Sequence, residues 1–152
     1  MLRSLAPGMI ALALFGGGDR AGLAWSRADD PELGAQLVLA GPGTDDARLL
    51  LACQPGSGAV EVTVVGRRED GAILELRSGK LRNRYAGAGA PDAQIDGAFD
   101  VRARLAAADP VLARFADTGE LAVILGERRT ATPNGFAPAH DFLQVCGLPP
   151  AG

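Results

Sequence analysis

The sequence predicts a mainly β domain: an antiparallel β-sandwich or open barrel of seven to eight strands with two short helices. Three observations carry that expectation. Apolar and polar residues alternate with period 2 through much of the chain, as they do in strands buried on one face. The 21 glycines and 10 prolines fall between the apolar runs as punctuation, the pattern of short strands joined by turns. No long helical pattern separates successive strands, which disfavours a parallel α/β sheet.

The elements follow in order. Residues 25–33 are polar and read as a loose lead-in. AQLVLA (35–40) is a short strand, and GPGTDD turns the chain. ARLLLACQ (47–54) is a strand with Leu49, Leu51 and Cys53 on one face. After PGSG, AVEVTVV (59–65) points Val60, Val62 and Val64 inward and Glu61 and Thr63 outward. AILELRS (72–78) places Ala72, Leu74 and Leu76 inside; KLRNRYA (80–86) exposes Arg82 and Arg84. GAGAPD (87–92) reads as a flexible loop. AQIDGAFDVRARLAA (93–107) keeps period 2 throughout, with Ile95, Phe99, Val101, Ala103 and Leu105 on one face. Asp96, Asp100, Arg102 and Arg104 lie on the other, and Gly97 marks a bulge or a break between two strands. Asp109 is suited to cap a helix over 110–117 that starts at Pro110 and stops at Gly119. ELAVILGE (120–127) is a buried strand and RRTATPNGFAP a loop. AHDFLQVC (139–146) is a final helix, with Phe142 and Cys146 one turn apart.

The chain has 152 residues, one domain's worth and enough to bury a core without a metal. Aromatics make up only 5%, so that core must be Leu, Val, Ile and Ala. A net charge of −3 argues against a general nucleic-acid binder, which carries a basic footprint. There is no internal repeat.

The first residues read as a secretory signal peptide, 1–24, followed by a single β-rich domain, 25–152. Arg3 supplies the positive start, Leu5 to Phe15 the apolar stretch, and Gly22-Leu23-Ala24 a small-x-small cleavage site. The apolar stretch is too short for a comfortable membrane span, so an integral membrane protein is not expected. An N-terminal core strand or helix is the alternative. Leu50-Leu51-Ala52-Cys53 spells a lipidation signal, but Asp45, Asp46 and Arg48 separate it from the apolar stretch, so lipidation is not expected. Two cysteines in an exported chain point to one disulfide, Cys53–Cys146. The alternative is two separate buried thiols. If Leu49, Leu51 and Cys53 form a core face and the stripe of Phe142 and Cys146 docks there, the bond pins the C-terminal helix to the sheet.

The stretch AADPVLARFADTGELAVILG resembles small exported proteins of unknown function from alphaproteobacteria. The resemblance rests on Asp109, Pro110, Leu112, Gly119, Pro133 and Cys146, with LLLACQPGSGAVEVTVV upstream similar to their first cysteine strand. It spans roughly residues 47–147. The chain is also loosely similar to two-cysteine β domains among the accessory proteins of type VI secretion. Neither resemblance implies a catalytic residue.

No motif spells out catalysis. His140-Asp141 is the only His–acid pair, and neighbours in a helix do not face each other. No Gly-x-Ser-x-Gly occurs. A lone histidine and two distant cysteines make no zinc pattern; Asp45-Asp46 lacks the spacing of a calcium loop. Ser78-Gly79-Lys80 lacks the first glycine of a phosphate loop, and no helix follows Gly87-Ala88-Gly89 to make a dinucleotide fingerprint. No cofactor is expected. Arg82, Arg84, Arg102 and Arg104 all point outward; on neighbouring strands they would form a basic ladder for an anionic partner. Ordinary solubility and edge protection is the alternative.

The expected function is therefore an exported, non-enzymatic binding domain in the periplasm or outside the cell, with an envelope or secreted protein as partner. An inhibitor of a secreted lysozyme or protease is a second expectation, favoured by a rigid projecting loop at Tyr85 or at TPNGF (132–136). A small hydrolase is a third, favoured by a pocket with two facing carboxylates. Export predicts that C-terminally tagged protein accumulates as a periplasmic species lacking about 24 residues; mass spectrometry of cytosolic protein still beginning at Met1 overturns it.

Overall fold

The computed structural model describes residues 22–41, 47–93 and 95–148. Most of the expected signal peptide (1–21) and the Asp45-Asp46 turn lie outside the described residues. The fold is mainly β, with ten strands in two antiparallel sheets that do not close into a barrel, and two helices. The strands are β1 (Ala24–Asp30), β2 (Gly34–Ala40), β3 (Ala47–Cys53), β4 (Ala59–Gly66), β5 (Ile73–Ser78), β6 (Leu81–Ala86), β7 (Ala88–Pro91), β8 (Phe99–Ala106), β9 (Ala122–Leu125) and β10 (Arg128–Ala131). The helices are α1 (Pro110–Thr118) and α2 (Phe136–Cys146). A large sheet runs β1-β2-β3-β4-β8-β7 and a small one β10-β9-β5-β6.

The strand periodicity translates directly into layers. Leu37, Leu39, Leu49, Leu51, Val60, Val62, Val101 and Leu105 are buried on the inner face of the large sheet. Leu74 and Leu76 of β5, with Val123 and Leu125 of β9, form the matching inner face of the small sheet. A narrow cavity between Leu49 and Val64 on one side and Val123 and Leu125 on the other shows where the sheets stack. The helices pack against each other; α2 covers β1 and β2 while α1 lies along β5 and β6. Phe115 of α1 and Phe142 of α2 are fully buried there.

The chain meanders through β1–β4, crosses to the small sheet for β5–β6, and returns to the large sheet at Gly87. A Cβ there would lie 2.7 Å from Val101 and 3.0 Å from the carbonyls of Ala72 and Arg102. Only glycine lets β6 run into β7 while both sheets press against the corner.

The seam at the C-terminus of α2 combines covalent and hydrogen-bonded ties. Cys53 and Cys146 form a disulfide with Cα atoms 5.7 Å apart. The β3–β4 turn donates two amides to the helix end, Gly56 N–H to the Val145 carbonyl and Gly58 N–H to the Cys146 carbonyl, both at 2.8 Å. Gly147 takes the left-handed conformation (φ 106°) that closes the helix.

α1 begins and ends as its sequence signals require: the Asp109 carboxylate accepts the Val111 amide, Pro110 follows, and Gly119 stops the helix at φ 78°. The remaining elements depart from the periodicity in four places. Residues 25–33 are not a lead-in: β1 pairs with β2 along its whole length. Only Trp25 and Arg27 of β1 face inward among large residues, so the strand lacks an apolar pattern. Trp25 donates its ring N–H to the Pro133 carbonyl (2.8 Å) and packs on Phe115. Arg27 reaches Asp141 (3.0 Å) with its guanidinium over the Phe142 ring. The Gly-rich stretch is not a free loop: 88–91 is edge strand β7, with Gly89 so close to Phe99 that a Cβ would overlap the ring. The long period-2 run breaks at a turn before β8, where Asp92 accepts the Ile95 amide and Gly97 takes φ 81°; Ile95 is exposed rather than in the core. Finally, 128–131 is β10, and α2 starts at Phe136, three residues earlier than expected. Pro138 falls in its first turn, where no intrahelical amide is lost.

Cleaving the disulfide reopens a loop with a sequence separation of 93, a loss of about 4–5 kcal/mol for a loop of that size. Reduced protein should unfold at lower temperature, and hydrogen exchange should quicken first at residues 143–148 while β2–β4 remain protected. Uniform loosening of both sheets at the same rate overturns this order.

Candidate functional site

Two surfaces bring charged side chains together, one on the outer face of each sheet. The expected four-arginine ladder does not form, because β6 and β8 belong to different sheets. Arg82 and Arg84 stand on the small sheet, Arg102 and Arg104 on the large one.

On the small sheet, strand alternation turns Glu75 and Arg77 outward whenever Leu74 and Leu76 turn inward. The registers then build two cross-strand rows. The first reads Arg129, Ile124, Glu75, Arg84 from β10 to β6; the second reads Ala131, Ala122, Arg77, Arg82. The sequence alone does not single out Arg129, which lies in an apparent loop, or Arg77. The four arginines face a single carboxylate. Glu75 accepts hydrogen bonds from Nε of Arg77 and, at 2.9 Å, from Nε of Arg84. The side chains above it leave Glu75 only 6% exposed. These bonds, the Arg84 one first, hold the Glu75 carboxyl below its usual value. Both bonds are made through Nε. Arg77 stands directly opposite Arg82, a like-charge pair that costs stability. Among the described residues Arg82 and Arg129 make no side-chain hydrogen bond or ion pair. Along the second row, Ala122 and Ala131 lie in a groove of about 490 Å³ that Arg77, Arg129, Glu120 and Asn134 also line.

On the large sheet, Arg104 stands opposite Glu61 and Arg102 opposite Thr63. A wider groove of about 680 Å³ crosses this face over Leu50, Ala52, Thr63 and Val65. Asp92 and Asp100 both line it, and the Asp92 carboxyl lies close enough to bear on Asp100. Burial pushes the Asp100 carboxyl up to about 6, the Asp92 bond and charge push the same way, and Arg102 opposes them. One Asp100 oxygen is buried without a partner. A carboxyl raised to about 6 beside a second carboxyl is the electrostatic situation of an acid–base dyad.

The other expected positions have structural work. His140 contacts the Ala116 carbonyl through Nδ1 at 3.3 Å, and Asp141 is paired with Arg27. Tyr85 does not project: its hydroxyl donates to Asp109 at 2.8 Å, tying β6 to the cap of α1, and burial and the Asp109 bond raise its pKa. Nor does TPNGF, held by Thr132 to the Leu121 carbonyl, by Trp25 to Pro133 and by Asn134 to the Thr118 carbonyl. Among the described residues no three His, Cys, Asp or Glu side chains converge as a metal site, and no helix is long and apolar enough to cross a membrane. Comparison with protein-family models, curated proteins and solved structures finds no match.

The two carboxyls give opposite pH signatures. Glu75, depressed in the fold, contributes stability that is full above its ordinary value of 4.5 and is lost as pH falls through its lower folded value. Asp100, raised from 3.8 to about 6, contributes stability present below 3.8 and lost as pH rises through about 6. Thermal melts should therefore show Asp100→Asn flattening the decline between these two values, and Glu75→Gln flattening the acid limb. A decline unchanged in Asp100→Asn overturns the raised Asp100 value.

Proposed function

We propose that this chain is an exported, non-enzymatic interaction domain that meets a protein of the cell envelope or a secreted protein through the outer face of its small sheet. The observation that carries this reading is the pair of cross-strand rows bearing Arg77, Arg82, Arg84 and Arg129 around Glu75. The fold gains nothing from Arg82 opposite Arg77, while an acidic partner would turn that repulsion into binding. The face is open and built on strands, so it presents side chains rather than enclosing a small substrate. The Cys53–Cys146 bond supports a periplasmic or secreted location, because disulfides persist in oxidising compartments.

The Asp92–Asp100 pair favours a second reading, a small hydrolase using a carboxyl dyad as acid and base. The two readings separate cleanly. For the interaction domain, wild-type protein incubated with native envelope extract should hold a defined partner, and Arg82→Glu with Arg129→Glu should release it while leaving the melt unchanged. Hydrolysis of peptide or glycoside substrates that Asp100→Asn abolishes, with partner capture absent, would establish the enzyme instead.

A further inference from the structure

We infer that the occupant of the small sheet's outer face is an acidic, extended segment of a protein, crossing the strands with one carboxylate seated in the groove between Arg77 and Arg129. The inference rests on the interaction-domain reading and specifies its ligand.

The spacing comes from the sheet. Arg129 in β10 and Arg84 in β6 are three strands apart, about 14 Å at the usual inter-strand distance. An extended peptide rises about 3.3 Å per residue, so carboxylates at positions i and i+4 would reach both ends of the rows. One end is the groove. Two alanines, Ala122 and Ala131, lie in it, and their small side chains leave a depression that Arg77 and Arg129 also line. The other end is the exposed pair Arg82 and Arg84 on β6. Between them lies Ile124, half-buried, and flanking the first row stands Ile73, 56% exposed; both offer apolar contact to the residues between the acids.

Charge selects the class of ligand. The face carries four arginines against one buried glutamate, in a chain of net charge −3. A long polyanion or an anionic membrane would meet that negative remainder as well as the patch, whereas a short acidic segment would touch only the patch. Arginine forks pair bidentately with planar carboxylates. With the Nε atoms of Arg77 and Arg84 occupied by Glu75, their terminal amino groups are oriented before any ligand arrives. Glu75 is thus a positioning residue. Glu120, exposed at the groove's edge with Arg114 3.9 Å away, sets a limit on how far an acidic segment can continue in that direction.

The test uses the full domain with its disulfide intact. The probe is a fluorescent, end-blocked peptide Glu-Ala-Glu-Ala-Glu, with Gln-Ala-Gln-Ala-Gln as its neutral counterpart. Arg82→Gln with Arg129→Gln removes two exposed side chains and should weaken binding of the acidic peptide about five- to tenfold. Arg102→Gln with Arg104→Gln, on the other sheet, should leave it within about twofold. The neutral peptide should not bind, and affinity should fall as salt rises. Equal binding of both peptides, or equal losses in both double variants, refutes the inference. So does binding of inorganic phosphate or of vesicles rich in anionic lipid through Arg82 and Arg129 when the peptide does not bind; a captured envelope partner would then leave the interaction-domain reading standing with a different ligand. A partner whose capture ignores both arginines overturns the inference as well.

Discussion

The structure depends on how the end of α2 is held to the β3–β4 hairpin. α2 covers the β1–β2 part of the large sheet's inner face, which the small sheet does not roof. At 11 residues it is too short to be stable alone. The Cys53–Cys146 bond, the two amides donated by Gly56 and Gly58, and the left-handed Gly147 all act within one helical turn. They place Phe142 and Leu143 at zero exposure. Once α2 is placed, its neighbours follow: α1 packs on it, Trp25 packs on Phe115, and Arg27 closes β1 over Phe142 and Asp141.

A second constraint decides which side chains share a surface. The crossing at Gly87 sends β6 and β7, consecutive in the chain, into different sheets. Arg84 and Arg102 are therefore separated by the sandwich core, although both obey the same outward alternation. In exchange, β9 and β10 arrive from beyond α1 and bring Ile124 and Arg129 to the side of β5. The rows of the small sheet are thus assembled from segments up to 54 positions apart, Glu75 to Arg129, and no local window of sequence contains them.

Most of the architecture was nevertheless legible. Val60, Val62 and Val64, or Leu49, Leu51 and Cys53, announce a buried face because the period-2 pattern and the burial it requires are the same physical fact. Asp109, Pro110 and Gly119 bound α1 by local hydrogen bonding and backbone freedom, which need no tertiary information. The elements that escaped take their stability from partners instead. β1 is held by one tryptophan and one arginine whose acceptors, Pro133 and Asp141, lie more than a hundred residues away. β7 consists of Ala, Gly and Pro and exists because β8 offers it an edge. The candidate site is less legible still. Arg82 and Arg84 were visible, while Arg77, Arg129 and the Asp92–Asp100 pair required sheet order and register.

The arginines separate into two kinds, and the separation bears on the proposed face. Arg27 is 21% exposed at its side chain, bridges Asp141 and the Gln36 carbonyl, and lies over an aromatic ring; its charge is consumed by the fold. Arg128, paired with Asp70 at 3.6 Å, ties the β9–β10 hairpin to the turn after β4. Arg82 and Arg129 have no such intramolecular partner among the described residues, and Arg82 faces another arginine. Solubility alone would be served by any mixture of charges on this face. A single sign, concentrated on two registered rows and organised by one buried glutamate, is the arrangement that electrostatic complementarity to an acidic partner would require.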